Sequence, residues 1–133
     1  MKAPTPLVNA FLVCRRIVDD PAGEIALVGL PNTFVAHAYP ATIDAGFFIR
    51  LSSARGDYRM EVQLQTSEGD VVWRDGPPNP TRVGDALSIL DMTWRLCIAI
   101  PAAGAYYVVL LANGEEIARQ RYMAQLAPQQ ASR

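Results

Sequence analysis

The chain has 133 residues, the length of a single domain, and its apolar fraction of 50% and charged fraction of 19% are ordinary for a globular protein. The formal net charge is −1, from 12 basic and 13 acidic side chains without a block of like charge, so no nucleic-acid or anionic-membrane footprint is visible. No run of about 18 apolar residues is present, which excludes a membrane-spanning helix. The apolar segment 7–14 is too short and too interrupted for a signal peptide, so we expect a cytoplasmic protein.

The first quarter of the chain predicts two strands behind a short arm. Residues 1–6 contain two prolines and are expected to be loosely held. Residues 7–18 begin with an apolar stretch and predict the first strand. A turn rich in Asp, Pro and Gly follows at 19–23, and residues 25–30 predict a short second strand that a glycine and a proline close.

Residues 32–44 are the hardest segment to interpret. The polar start of this segment suits the cap of one helical turn, which would run through His37 and stop at Pro40. In a two-sheet fold the segment would cross from one sheet to the other. Phe34 and Tyr39 would then plug the open end of the core.

The middle of the chain predicts three further strands. Residues 46–53 form the third, and the Arg-Gly-Asp segment 55–57 is predicted to be the hairpin turn that joins it to the fourth. Residues 58–65 alternate between apolar and polar side chains, which indicates a half-buried strand. Residues 71–75 predict the fifth strand, and the three prolines of segment 76–80 exclude ladder pairing there.

The C-terminal part holds the clearest strand pattern. Residues 92–100 alternate with a period of two, and a change of register before them predicts a bulge or a break near residues 90–91. Residues 106–111 are consecutively apolar, which is typical of a strand covered on both faces. Asn113-Gly114 predicts a type I′ hairpin turn, and residues 116–124 predict the partner strand.

These elements predict an all-β fold, an antiparallel β-sandwich of seven or eight strands that is immunoglobulin-like or close to it. A closed barrel fits the pattern less well because the strand lengths differ. We expect one domain over residues 1–133, with a loose arm at 1–6 and a disordered tail at 125–133.

Several short patterns are distributed over most of the chain. They are Phe11-Leu12-Val13-Cys14, Gly29, the alternating stretch Gly104-x-Tyr106-x-Val108-x-Leu110, Asn113-Gly114 and Ala118. Together they resemble an uncharacterised bacterial family of small single-domain, immunoglobulin-like β-sandwich proteins of unknown function. The resemblance implies a fold and a bacterial origin, and it brings no catalytic residues with it.

The two cysteines, Cys14 and Cys97, lie in two predicted strands, and two interpretations stay open. Either both are buried free thiols, since free cysteine behaves as a small apolar residue, or they form a bond across the sandwich. The absence of a secretion signal favours free thiols. A nucleophilic cysteine would need a base nearby, and the sequence indicates none.

The sequence contains few residues that could form a catalytic or metal-binding site. His37 is the single histidine, so any Ser-His-Asp, Cys-His or His-bearing zinc site would have to include it. The acids in predicted turns form no calcium-loop motif; they are Asp19, Asp20, Asp57, Asp85 and Asp91. We therefore expect no enzyme activity, no cofactor and no metal site. The alternative is a small-ligand or calcium-binding C2-like sandwich that uses these loop acids, with Phe34, His37 and Tyr39 as ligand-binding residues.

Tyr107, Val109 and Leu111 are the candidate interface, because they form the second face of the apolar strand at 106–111. A two-layer sandwich covers only one face of a strand, so either flanking segments or a second subunit must cover the other. We expect a non-enzymatic protein-binding or assembly module that self-associates through an apolar sheet face or an edge strand. The expected partner is a second copy in a homodimer, or an unidentified protein, and not nucleic acid.

Overall fold

The computed structural model describes residues 3–128, and this part of the chain contains twelve strands and no helix. The expected all-β fold with antiparallel sheets is confirmed at this level. No helix in this range has the length and apolar character needed to cross a membrane. The strands, in chain order, are β1 (Leu7–Cys14), β2 (Arg16–Asp19), β3 (Ile25–Val28), β4 (Thr33–Ala36), β5 (Ala41–Ser52), β6 (Gly56–Tyr58), β7 (Met60–Thr66), β8 (Val71–Asp75), β9 (Thr81–Val83), β10 (Leu90–Ile100), β11 (Gly104–Ala112) and β12 (Glu115–Leu126).

Two large sheets and two small two-stranded sheets make up the fold. The first sheet has three antiparallel strands in the order β1-β5-β10, with β5 at its centre. The second has five strands in the order β4-β12-β11-β7-β8, and its pairs are antiparallel except for β4, which runs parallel to β12. The small sheets are the β2–β3 hairpin and the pair β6–β9, whose strands are separated in the chain by β7 and β8. These short strands explain why the count exceeds the seven or eight expected.

The buried side chains of both large sheets form one hydrophobic cluster. Phe47, Ile49 and Leu51 come from one face of β5, and Val62 and Leu64 come from one face of β7. Members of each set are two residues apart, because alternate side chains of a strand point to the same face. Alternating sequence patterns therefore translate directly into the main core.

A second, smaller buried group lies on the other face of β5. Cys14, Ile17 and Phe48 are buried but stand outside the main cluster. The β2–β3 hairpin folds over this face, and Ile17 approaches Gly46 so closely that a Cβ there would lie 2.8 Å from Ile17 Cγ1. Strand β5 is thus covered on both faces, which accounts for its continuous run of buried residues, 45–49.

The β11–β12 hairpin forms as predicted. Asn113 and Gly114 have φ angles of 52° and 79°, the positive values that a type I′ turn requires. The Asn113 side chain also accepts a hydrogen bond from the backbone N–H of Arg59, at 2.8 Å. The turn therefore ties this hairpin to the start of the neighbouring strand β7.

Three local predictions are wrong. The first strand does not run from 7 to 18, because it breaks at Arg15, whose N–H bonds to the carbonyl of Gly29 at 2.8 Å. The helical turn through His37 is absent, since β4 pairs with β12 there. Segment 55–57 is not a hairpin turn between neighbouring strands, because β5 and β7 belong to different sheets.

Both chain ends are better held than expected over the residues described. Pro6 is buried, and the Tyr58 hydroxyl donates a hydrogen bond to the carbonyl of Pro4 at 2.7 Å. Strand β12 continues to Leu126, and the N–H of Ala127 bonds to the carbonyl of Ala36 at 2.8 Å. The rest of the expected arm and tail, residues 1–2 and 129–133, lies outside the described residues.

Candidate functional site

The three predicted ligand-binding residues do not form a common pocket. Phe34 is 3% exposed and stacks on Tyr122, with ring centroids 5.1 Å apart. The Tyr39 hydroxyl donates a hydrogen bond to the carbonyl of Gln125 at 2.8 Å, and burial raises the pKa of this hydroxyl. His37 is exposed. Phe34 and Tyr39 thus have packing and hydrogen-bonding partners within the chain.

The predicted interface residues lie on the face of the five-stranded sheet that points away from the main core. Val109 is fully buried there, whereas Tyr107 and Leu111 are half-buried. The residues paired with Val109 on either side are Gln63 of β7 and Arg119 of β12. Val109 therefore lies between two long polar side chains whose methylene stems can cover apolar surface.

These polar side chains are themselves organised. The Arg119 guanidinium lies 4.8 Å from the centroid of the Tyr107 ring and pairs with the carboxylate of Glu116. Gln63 donates a hydrogen bond to the Glu61 carboxylate at 2.8 Å and accepts one from Gln65 at 3.0 Å. Much of the apolar face formed by Tyr107, Val109 and Leu111 is therefore covered by side chains of the adjacent strands.

The acidic turn residues are spread over separate turns. Asp20 and Asp85 accept hydrogen bonds from backbone N–H groups two residues ahead, and Asp57 pairs with Arg82. The hydrogen bond from Arg82 lowers the pKa of the Asp57 carboxyl. Within residues 3–128, no group of three or more His, Cys, Asp or Glu side chains is placed to hold a metal ion.

The cysteines differ in their surroundings. Both are free; Cys14 is buried, and burial raises the pKa of its thiol. Cys97 is exposed, so the expectation of two buried thiols is wrong for this residue. The alternative, a bond between them, is also wrong: Cys14 pairs with Gly46 and Cys97 pairs with Asp44, which places the two cysteines on opposite sides of β5.

The strand with the most open edge is β10. It pairs with β5 over eleven residues without a register shift, and no other described strand pairs with its second side. Such an edge presents free N–H and C=O groups, which proteins usually protect with prolines, bulges or charged side chains. Strand β10 contains no proline and no bulge.

The two charged residues of β10 are bound to other parts of the chain. Asp91 bonds to the guanidinium of Arg50 on β5 through both carboxylate oxygens, at 2.7 and 3.0 Å. Arg95 donates a hydrogen bond to the carbonyl of Ile17 at 3.1 Å. Other exposed residues of the strand, among them Thr93 and Ala99, are uncharged. Asp91 is therefore neutralised by an ion pair, whereas Arg95 is held by a neutral carbonyl and keeps its positive charge.

Comparison with known proteins places the chain in a family. The sequence matches the profile of a family of unknown function over residues 9–123, most of its length. The chain belongs to this family, DUF6941. No curated protein matches its sequence.

A solved structure similar to this DUF6941 protein is the Pseudomonas fluorescens alkylpurine DNA glycosylase AlkC bound to DNA containing an abasic site analog. The TM-score is 0.56 at 11% sequence identity, over 90% of this chain and 30% of the glycosylase chain. The DUF6941 chain thus spans less than a third of that enzyme's length, and the likeness is one of fold.

The other sheet edges of this DUF6941 protein, within the described residues, are shorter or partly covered. The free edge of β1 is covered where the Gln120 side-chain amide donates a hydrogen bond to the carbonyl of Phe11. Strands β4 and β8 have four and five residues. Near the end of β10, Val72 of β8 and Ile100 line a shared groove of about 390 Å³. The Leu90–Cys97 part of β10 is therefore a long open edge of the described structure.

Proposed function

We propose that the protein is a non-enzymatic assembly module that forms a homodimer by antiparallel pairing of β10 with β10 of a second copy. The observation that carries this proposal is the open and regular edge of β10, which has no proline and no bulge. Pairing across a twofold axis would satisfy the free backbone groups of both copies and join two three-stranded sheets into one. We interpret the fold as an immunoglobulin-like β-sandwich, supported by the core that the two large sheets share.

The positions of the charges favour one register. If the twofold axis passes beside Thr93, antiparallel pairing places Asp91 opposite Arg95 of the second copy, and the reverse. Opposite charges directly across an antiparallel pair contribute about 0.2–1 kcal/mol each. This register uses the part of β10 that lies away from β8. A second copy is therefore a partner of matching shape and charge.

The test is the molar mass in solution, by light scattering behind a sizing column over a range of concentrations. The parent protein should be a dimer. Thr93→Lys places two like charges across the axis and should raise the dissociation constant about two- to fivefold. Thr42→Lys is the matched control, because Thr42 is exposed on the central strand β5 and the added charge is the same. It should leave the dimer intact.

A disulfide crosslink between two copies tests the same pairing by a positive signal. Thr93→Cys in a Cys97→Ser background should form an intermolecular disulfide under mild oxidation, since directly opposed residues lie within bonding range. A parent protein that stays monomeric at high concentration, or a Thr93→Lys variant that keeps the parent's mass, contradicts the proposal. Dissociation by Leu111→Lys but not by Thr93→Lys would assign the dimer to the Tyr107–Val109–Leu111 face instead.

The alternative of a small-ligand or calcium-binding module has less support. Among the loop acids, Asp20 and Asp85 bond to backbone N–H groups, and Asp57 and Asp91 pair with arginines. Phe34 and Tyr39 already have partners within the chain. Repeating the light-scattering measurement with and without calcium tests the calcium version. The absence of enzyme activity, the bacterial origin and the cytoplasmic location expected from the sequence remain predictions.

A further inference from the structure

Three arginines surround a cleft on the outer side of the three-stranded sheet. Arg15 and Arg16 come from the junction of β1 and β2, and Arg95 comes from β10. The cleft has a volume of about 330 Å³, and the small residues Ala45 and Gly46 are part of its lining. Residues distant in the sequence therefore converge on one cavity.

The contacts that hold these arginines in place do not neutralise their charges. Arg95 is fixed by its hydrogen bond to the carbonyl of Ile17, at 3.1 Å. The methylene stem of Arg15 rests against Gly29, where a Cβ would lie 2.9 Å from Arg15 Cδ. The backbone N–H of Arg15 also bonds to the carbonyl of Gly29, at 2.8 Å. The β2–β3 hairpin thus positions two guanidinium groups through neutral contacts.

The cleft carries an uncompensated positive charge. Among the described residues, ion pairs are formed by Arg50, Arg74, Arg82 and Arg119, and by none of the three cleft arginines. The one carboxylate that lines the cavity belongs to Asp44. In a single copy of the chain, three guanidinium groups against one carboxylate leave two positive charges for a ligand to neutralise, in a protein whose net charge is −1. The carboxylate that the proposed dimer would bring opposite Arg95 belongs to Asp91, which is already paired with Arg50 of its own chain.

We propose that this cleft binds the phosphate group of a small phosphate monoester. Such a group carries a charge of about −1.5 to −2 at pH 7, which matches the two uncompensated positive charges. A single carboxylate would neutralise only one of these two charges. Guanidinium groups bind phosphate oxygens through paired hydrogen bonds. The volume is at the lower end of ligand pockets, which suits a small ester. Cys97 would contact its organic part.

The first experiment is a calorimetric titration in low-salt buffer with glycerol phosphate, inorganic phosphate and acetate. The parent should bind both phosphate probes at least about tenfold more tightly than acetate. Arg16→Gln removes a cleft charge without breaking a side-chain hydrogen bond of the described structure, and it should weaken glycerol phosphate binding about tenfold. Arg55→Gln is the matched control, because it removes the same charge from an exposed arginine outside the cleft lining.

The second experiment uses the thiol of Cys97, which lines the cleft, while Cys14 is buried. Bound glycerol phosphate should slow alkylation of Cys97 by iodoacetamide, and Arg16→Gln should abolish this protection. Arg16 lies outside β10, so loss of binding here is distinguishable from loss of the dimer.

Three outcomes would overturn the proposal. The first is absence of both binding and thiol protection at about 10 mM glycerol phosphate, a concentration well above the affinities of specific small-ligand sites. The second is an equal loss of affinity in Arg55→Gln, which would indicate unspecific charge attraction. The third is tighter binding of a short single-stranded DNA than of the ester, which would indicate a nucleic-acid site.

Discussion

Replacing Gly46 with alanine tests how the β2–β3 hairpin packs on β5. A Cβ at this position would lie 2.8 Å from Cys14 Sγ and 2.8 and 2.9 Å from two carbons of Ile17. Comfortable contacts between carbon atoms are about 3.5–4.0 Å, so the new methyl group overlaps with three atoms and the hairpin must move. Overpacking of this kind costs about 1–3 kcal/mol, which outweighs the gain of about 0.4–1 kcal/mol from a less flexible unfolded chain.

We therefore expect Gly46→Ala to lower the free energy of unfolding by about 1–2 kcal/mol. The measurement is urea denaturation followed by tryptophan fluorescence. Gly84→Ala is the control, because a Cβ there meets no atom within 4 Å and its φ is ordinary, so only the unfolded-chain gain applies and stability should rise by about 0.4–1 kcal/mol.

A second variant separates the steric overlap of the new methyl group from other effects of the Gly46→Ala substitution. Ile17→Ala removes two of the three overlapping atoms, so Gly46→Ala should cost less in that background than in the parent. Equal stability of Gly46→Ala and the parent, or strict additivity with Ile17→Ala, would refute the described packing of the hairpin.

Two further predictions concern a neighbouring pair on β4 and an ion pair on the sheet surface. Phe34→Ala should lower the free energy of unfolding by about 3–5 kcal/mol because the ring is buried, whereas Val35→Ala, at a half-exposed side chain, should change it by less than about 0.5 kcal/mol. Urea denaturation of both variants decides this. The hydrogen bond from Arg50 lowers the pKa of Asp91 in the folded chain, so this contact stabilises the fold above the unfolded pKa and is lost as pH falls through the folded pKa. The stability difference between the parent and Arg50→Gln should be present at neutral pH and vanish in acid, as thermal unfolding across pH would show; a difference that persists in acid would contradict this assignment.

Strands that are marked by a pattern within a few consecutive residues could be predicted from the sequence. The alternation at 92–100 became the regular strand β10, and Asn113-Gly114 became the turn of a hairpin. The predicted break near residues 90–91 corresponds to the start of β10, and the preceding Leu87 and Ile89 are exposed. Period and turn chemistry are properties of short segments, so a single sequence reveals them.

Features that depend on distant partners were not predictable in this way. Residues 33–36 read as a helical turn because their partner, β12, lies at the other end of the chain. Cys97 was expected to be buried, yet it lies on the side of β10 that faces away from the main core. The open edge of β10 depends on which strand comes to lie beside it, and Arg95 and Arg15 line one cleft only in the folded chain. The local sequence does not indicate which distant segments will become neighbours in the fold.

The parallel pairing of β4 with β12 has a consequence for the order of events during synthesis. Met123 pairs with Thr33, so the ribosome delivers β4 about ninety residues before its partner strand. Until β12 emerges, the Phe34 ring lacks the Tyr122 ring on which it stacks, and β11 has an unpaired side. The nascent chain would therefore expose the Phe34 ring and the unpaired strand β4 for most of its elongation, and the edge of β11 only until β12 follows it. This is the interval in which a chaperone would protect it from aggregation.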